Sequence, residues 1–199
     1  GKGLINAAVL IYAGNILLIQ GKSLLPTYDV FDERRYFDPA DYPQIVAFKG
    51  LRLGISICED AWNADEFWPG KLPYATDPIA ILAQQGADLL INLSASPFHR
   101  GKEEVRLKLL QWHARRHQTP FVWVNQVGGN DELIFDGHSL FIDEQGRVVR
   151  ALPAFVEHIE TIDTSQRGSE QNYVPMEEIE SVYEALLMGI RDYLRKNGF

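Results

Sequence analysis

Disulfide bonding is excluded first: the 199 residues hold one cysteine, Cys58, so no internal bridge can staple the fold. That fits a reducing compartment, and a cytoplasmic location is expected. No apolar run approaches the roughly 20 residues a membrane-spanning helix needs, so no membrane partner is expected. Basic residues are also scarce. Nineteen Lys and Arg stand against 27 Asp and Glu, a net charge of −8, which argues against nucleic acid as a partner. The first residues, Gly1-Lys2-Gly3-Leu4, lack an initiator Met and a signal-peptide pattern. They run almost at once into a strand-like segment, so the chain is expected to begin inside a fold.

What is present suits a folded domain. Hydrophobic residues make up 46% and aromatics 11%, ample for a core, and the length suggests one domain with a possible appendage. The most informative stretch is Arg52-Leu53-Gly54-Ile55-Ser56-Ile57-Cys58-Glu59-Asp60-Ala61-Trp62. Apolar residues alternate with small or polar ones, with Ile55 and Ile57 on one face and Ser56 and Cys58 on the other, as in a strand. The pattern stops at Cys58 and two acids follow. A thiol at the end of a buried strand is well placed to act as a nucleophile. A lone cysteine also fills a core as a small inert hydrophobe, and this stretch alone leaves both readings open.

In chain order, Leu4–Tyr12 and Ile16–Gln20 read as a hairpin around the turn residues Ala13-Gly14-Asn15. A long loop with Pro26 and Pro39 follows, then strands Ile45–Phe48 and Leu51–Cys58 around Lys49-Gly50. Asn63–Asp77, with Trp68, Pro69, Gly70 and Pro73, reads as another loop. Asp77, Pro78 and Gly86 punctuate a helix over 78–86. Ala87–Leu93 reads as a buried strand. Lys102–His117 is helical, with Val105, Leu109, Trp112 and Arg116 as its apparent stripe. Pro120–Gln126, Leu133–Phe135, Gly137–Asp143 and Val148–Ile162 carry strand patterns, with Gly128–Asp131 as a loop. Val174–Phe199 reads as one long helix with the stripe Ile179, Val182, Tyr183, Leu186, Ile190 and Tyr193. Strands alternating with helices point to an α/β fold with layered packing.

A thiol needs a nearby cation, base or helix N-terminus to ionise. Lys22, at the end of a strand-like segment, is a candidate cation, although a solvated surface lysine is the commoner fate. None of the five histidines stands where its context suggests a base. His113 and His117 are four apart on a helix, but no third ligand is evident, so no metal site is expected. Arg100 could clamp a carboxylate in a two-bond fork, or be a surface arginine before a helix.

Several motifs, in order, resemble the nitrilase (carbon–nitrogen hydrolase) superfamily. They are Gly21-Lys22-Ser23-Leu24-Leu25-Pro26, Phe31–Phe37, Cys58-Glu59-Asp60-Ala61-Trp62, Asn92–Phe98 and Val124–Gly137. Their wording is similar to the branch formed by the glutaminase domains of glutamine-dependent NAD synthetases. The resemblance covers about residues 4–163. It implies an α-β-β-α sandwich, incomplete at its N-terminal side, over 1–163. A linker would span 164–174, and a helix over 175–199 would lead into an ATP-dependent synthetase domain whose Ser-Gly-Gly phosphate loop is not in this sequence.

The resemblance further implies a Glu-Lys-Cys triad acting on glutamine. Cys58 matches the nucleophile, Lys22 the triad lysine, and Glu33 the second glutamate that orients the lysine. The N–H of Glu59 would complete an oxyanion hole, and Tyr28, Ser94 and Arg100 would hold the glutamine. No residue here matches the triad's general-base glutamate. Glu59 is set aside for that role because a neighbour in an extended chain points the other way. No cofactor is expected among these residues. ATP, Mg2+ and nicotinic acid adenine dinucleotide are implied for the synthetase domain, and a homo-oligomer is expected. A stand-alone nitrilase-type amidase and a non-catalytic scaffold or dimerisation module stay as alternatives. The tail resembling the synthetase helix disfavours the amidase.

Overall fold

The computed structural model of the chain describes residues 1, 3–64, 66–67, 74–168 and 173–199. It comprises two compact units, Gly1–Leu93 and Ser94–Phe199, and its strands and helices give the expected α/β class. Trp68, Pro69, Gly70 and Pro73 of the second expected loop lie outside the described residues, as does 169–172 of the expected linker.

In the first unit, β1 (Ala7–Tyr12) and β2 (Asn15–Gly21) form an antiparallel hairpin. Ala13 and Gly14 between them have φ of 48° and 78°, the doubly left-handed turn that matches strand twist. β3 (Ile45–Phe48) pairs antiparallel with β4 (Leu51–Ile57) around Lys49 and Gly50, which repeat that geometry. β4 then runs parallel to β5 (Leu89–Ser94), with Ile57 opposite Leu93.

The crossover between β4 and β5 carries α1 (Pro78–Gln84), whose first turn is capped by Asp77: its carboxylate accepts the N–H of Ala80 at 3.0 Å. α1 buries Ile79 and Leu82 completely. It comes so close to β4 that a Cβ on Gly54 would stand 3.1 Å from that of Leu82, which is why glycine occupies this position. Leu53, Ile55, Ser56 and Ile57 are all buried, so the strand ending at Cys58 is covered on both faces.

The second unit contains α2 (Lys102–His117), β6 (Phe121–Asn125), β7 (Val127–Asn130), β8 (Leu133–Asp136), β9 (Leu140–Ile142), β10 (Val148–Ala151) and α3 (Glu178–Asn197). β6 pairs antiparallel with β9, and β9 with β10. Four expectations change here. The loop expected at Gly128–Asp131 is mostly strand: β7 and β8 form a hairpin turning at Asp131, whose φ is 51°. The last strand stops at Ala151 rather than Ile162, just before Leu152-Pro153. α2 faces inward with Arg106, Leu109, Leu110, His113 and Ala114, while Val105 is exposed. His113 and His117 stack on each other, and His113 lies beside Phe121, as packing groups.

α3 shows the fourth and largest change. It starts at Glu178, not Val174, with the carboxylate of Glu177 accepting the N–H of Glu180. Its buried side is Ser181, Ala185 and Met188, with Phe155 completing the cluster. The bulky stripe faces outward, Ile179 being 78% and Tyr193 63% exposed. Small residues decide this. A Cβ on Gly189 would stand 3.0 Å from Ile134, so only the small-residue side can approach the β7–β8 hairpin. Asp192 fastens the contact by accepting the N–H of Gly129 at 2.7 Å.

Candidate active site

The site grows from the end of β4. Cys58 has φ of 43°, in the left-handed region, where a residue with a Cβ is disfavoured by about 1–2 kcal/mol. A 3₁₀ turn over Cys58–Ala61 starts there. The extended path expected through Glu59 is therefore replaced by a tight reversal, and the Glu59 carboxylate is buried, 5% exposed.

Asp60 holds the reversal in place. Its carboxylate accepts the N–H groups of Ile57 at 2.9 Å, Ser23 at 3.0 Å and Leu24 at 2.8 Å. It thus ties the turn to the segment just after β2. Burial pushes the Asp60 carboxyl up to about 6, although these donors and the charge of Lys22 pull it down. Behind the turn, the Asn92 amide donates to the Ser56 hydroxyl at 3.0 Å and to the carbonyl of Cys58 at 3.4 Å.

Lys22 leaves β2 directly into the interior and is 2% exposed. A buried ammonium needs a counter-charge, and Glu33 supplies it in a short ion pair. Glu33 opens a 3₁₀ turn over Glu33–Arg35 whose first N–H donates to the carbonyl of Pro26 at 3.1 Å. Its other oxygen accepts from Asn6 at 3.4 Å.

Around Glu59, the hydroxyl of Tyr28 donates to its two oxygens at 2.9 and 2.8 Å, and that of Tyr74 donates at 3.0 Å. Burial, then the neighbouring carboxylate, pushes both phenols well above the usual tyrosine range, so both stay protonated donors. Tyr28 as a whole is about half exposed (51%), but its hydroxyl end is turned in to Glu59, and Cys58 lies within electrostatic reach of it.

The structure thus gathers Cys58, Lys22, Glu33, Glu59 and Tyr28 in the first unit. Ser94 and Arg100 belong to the second unit. There the hydroxyl of Ser94 accepts from the Trp123 indole at 2.8 Å, and Arg100 pairs with Glu178 of α3 at 3.1 Å, both side chains exposed. Sequence reasoning missed the parts played by Asp60 and Tyr74. Asp60 could have been found from its place inside the Cys-Glu-Asp run; nothing local marks Tyr74. Among the described residues no group of three His, Cys, Asp or Glu side chains could hold a metal ion.

The profile of the carbon-nitrogen hydrolase family matches residues 1–170. The chain belongs to the carbon–nitrogen hydrolase family. Within it, the chain is 43% identical over 203 residues to the glutamine-dependent NAD(+) synthetase of Synechocystis, a match that spans 100% of the chain and 36% of that protein. The chain thus spans about a third of the length of such relatives. Among solved structures, the glutamine-dependent NAD+ synthetase of Acinetobacter baumannii superposes with a TM-score of 0.85 at 31% identity, covering 98% of this chain and 36% of that one. A carbon–nitrogen hydrolase of Helicobacter pylori shares the fold, with a TM-score of 0.67 at 24% identity over 79% of this chain and 56% of that one. The fold is therefore the nitrilase-type α/β fold. The synthetase matches run through α3, which favours that branch over a stand-alone amidase.

Proposed function

We propose that this carbon–nitrogen hydrolase chain is the glutamine amidohydrolase of a glutamine-dependent NAD synthetase. The observation that carries the reading is the buried Lys22–Glu33 pair in the same unit as a cysteine held in a left-handed turn at a strand end. In this reading the Cys58 thiolate attacks the side-chain amide carbon of glutamine. The carbonyl oxygen becomes an oxyanion, stabilised by the Lys22 ammonium and the N–H of Glu59 at the start of the 3₁₀ turn. Collapse breaks the C–N bond, ammonia leaves with a proton, and a γ-glutamyl thioester remains on Cys58. Water then attacks the thioester and frees glutamate and the thiol.

Glu33 holds the lysine in place through their ion pair. Tyr28, Ser94 and Arg100 hold the glutamine, as the family motifs suggest. The ammonia serves amidation of nicotinic acid adenine dinucleotide to NAD at a synthetase site that uses ATP and Mg2+ and lies outside these residues. The whole enzyme is a cytoplasmic homo-oligomer in this reading. No helix among the described residues is long and apolar enough to cross a membrane.

No residue here matches the family's general-base glutamate. A positioned acid–base group contributes about 10²–10⁴-fold, so the 199 residues alone are expected to lack glutaminase activity. The test of the function is therefore made in the intact synthetase. Cys58→Ala should abolish NAD formation from glutamine, by about 10⁴-fold or more, and keep formation from added ammonia. A variant that uses glutamine at near the original rate would remove Cys58 from the nucleophile's role.

A further inference from the structure

We propose that Tyr74, held by Asn63, is a positioning residue that acts through Glu59 to keep the thiol of Cys58 ionisable. Glu59 follows Cys58 directly, its side chain is buried, and both groups act on the Tyr28 hydroxyl. A negative charge there opposes formation of a thiolate. Two things limit the opposition: where the carboxylate is held, and how far its charge is shared with donors. Tyr28 and Tyr74 both donate to this carboxylate and share its Oε1. Both phenols stay protonated, so this grip does not change across neutral pH.

Tyr74 is itself fixed. Asn63, 3% exposed and close behind the 3₁₀ turn, accepts the N–H of Tyr74 at 3.3 Å and donates to its carbonyl at 3.0 Å. The same amide also donates to the carbonyl of Thr76. One buried side chain therefore sets the distance between the nucleophile's turn and the phenol that restrains its neighbour. The other ionisable groups acting on this cluster are Lys22, paired with Glu33, then Asp60 and, at Tyr74, Arg34. Released from Tyr74, the Glu59 carboxylate can turn toward Cys58 or compete with Glu33 for Lys22. Both movements disfavour the thiolate.

This inference rests on the proposed function only in taking the Cys58 thiolate as the reacting group, and its test reads that thiol without glutamine turnover. Tyr74→Phe, Glu59→Gln and the double variant are made in the intact protein. Iodoacetamide labelling of the Cys58 peptide is followed by mass spectrometry from pH 5 to 10, alongside thermal melting.

Tyr74→Phe should slow labelling at pH 7 by about three- to tenfold and raise its pH midpoint, since one pKa unit corresponds to tenfold in thiolate. Glu59→Gln should speed labelling, and adding Tyr74→Phe to it should change nothing further, because the charge Tyr74 acts on is gone. Asn63→Ser, which loosens Tyr74 but keeps its hydroxyl, should shift labelling the same way by a smaller factor. Unchanged labelling in Tyr74→Phe, or an equal slowing with and without Glu59, would overturn the proposal. The second result would assign Tyr74 a purely structural part. Because Cys58→Ala tests glutamine use separately, either result leaves the glutaminase reading standing.

Discussion

Each unit buries charge, and each does so differently. In the second unit, Arg106 and Asp136 form a two-bond fork, with side chains 3% and 6% exposed. The Asn125 amide donates to Asp136 at 3.2 Å and to the carbonyl of Gly137 at 3.1 Å. Its carbonyl oxygen accepts the N–H of Ser96 at 2.9 Å, and the guanidinium lies 4.4 Å from the centre of the Trp123 ring. One cation meets one anion, and the Asn125 amide adds a neutral donor to the anion.

Around Cys58 the balance differs. Glu33, Glu59 and Asp60 crowd a cluster in which Lys22 is the buried cation, Asp60 is pushed up to about 6, and the nucleophile's backbone is left-handed. Charge matched one to one and held in a two-bond fork fits a structural role. Like charges held near a strained residue are the pattern of a working site, where perturbed ionisation serves chemistry.

The contrast can be broken from either side, and the structural side should yield the larger effect. Arg106→Met strands the Asp136 carboxylate in the interior and should cost about 3–5 kcal/mol of stability. Chemical denaturation checks it, and the labelling rate of Cys58 per folded molecule should not change. Lys22→Met attacks the other cluster. It should lower glutamine-dependent kcat by about 10²–10³-fold, the usual cost of one oxyanion donor, with ammonia-dependent NAD formation retained. A loss of both activities together would show a folding defect instead.

Arg100→Lys follows. A single ammonium cannot reproduce the planar fork, so the KM for glutamine should rise about tenfold. The factor is modest because Arg100 is exposed and pairs with Glu178. An unchanged KM would make it a surface residue.

The smallest effect concerns Asp60. Its folded value of about 6 stands above the ordinary 3.8, so the folded chain takes up this proton first as pH falls. Asp60 therefore contributes stability that declines as pH rises from 3.8 toward 6, and acidification through that window does not unfold the chain on its account. Protonation does remove acceptor capacity from the three N–H groups it serves. Glutamine turnover should accordingly weaken several-fold below about pH 6 while the melting temperature holds; a melting temperature falling in step with activity would refute this.

Much of this was legible in the sequence where the determining contacts are local. The hairpin turns, the Asp77 cap of α1, the span of α2 and the strand that delivers Cys58 follow from neighbours within a few residues. The failures share a cause. Apolar residues on α3 suggested an inward stripe, yet Ser181, Ala185 and Gly189 decide which side fits the β7–β8 hairpin. Gly128-Gly129 read as a loop, but pairing with β8 and the Asp192 carboxylate make them strand. At the site, the family motifs pointed to Lys22, Glu33 and Cys58, whereas Tyr74 reaches Glu59 from 15 residues away and only the folded chain reveals it.

The account stands on Cys58 as the group that attacks the glutamine amide. The most direct measurement is labelling of the intact protein with a diazoketone analogue of glutamine, which alkylates a nucleophile that has bound it as substrate. The account predicts one adduct per chain, on the peptide bearing Cys58, formed more slowly when glutamine competes and absent in Cys58→Ala. An adduct on another residue, or labelling of Cys58 that glutamine does not slow, would contradict it.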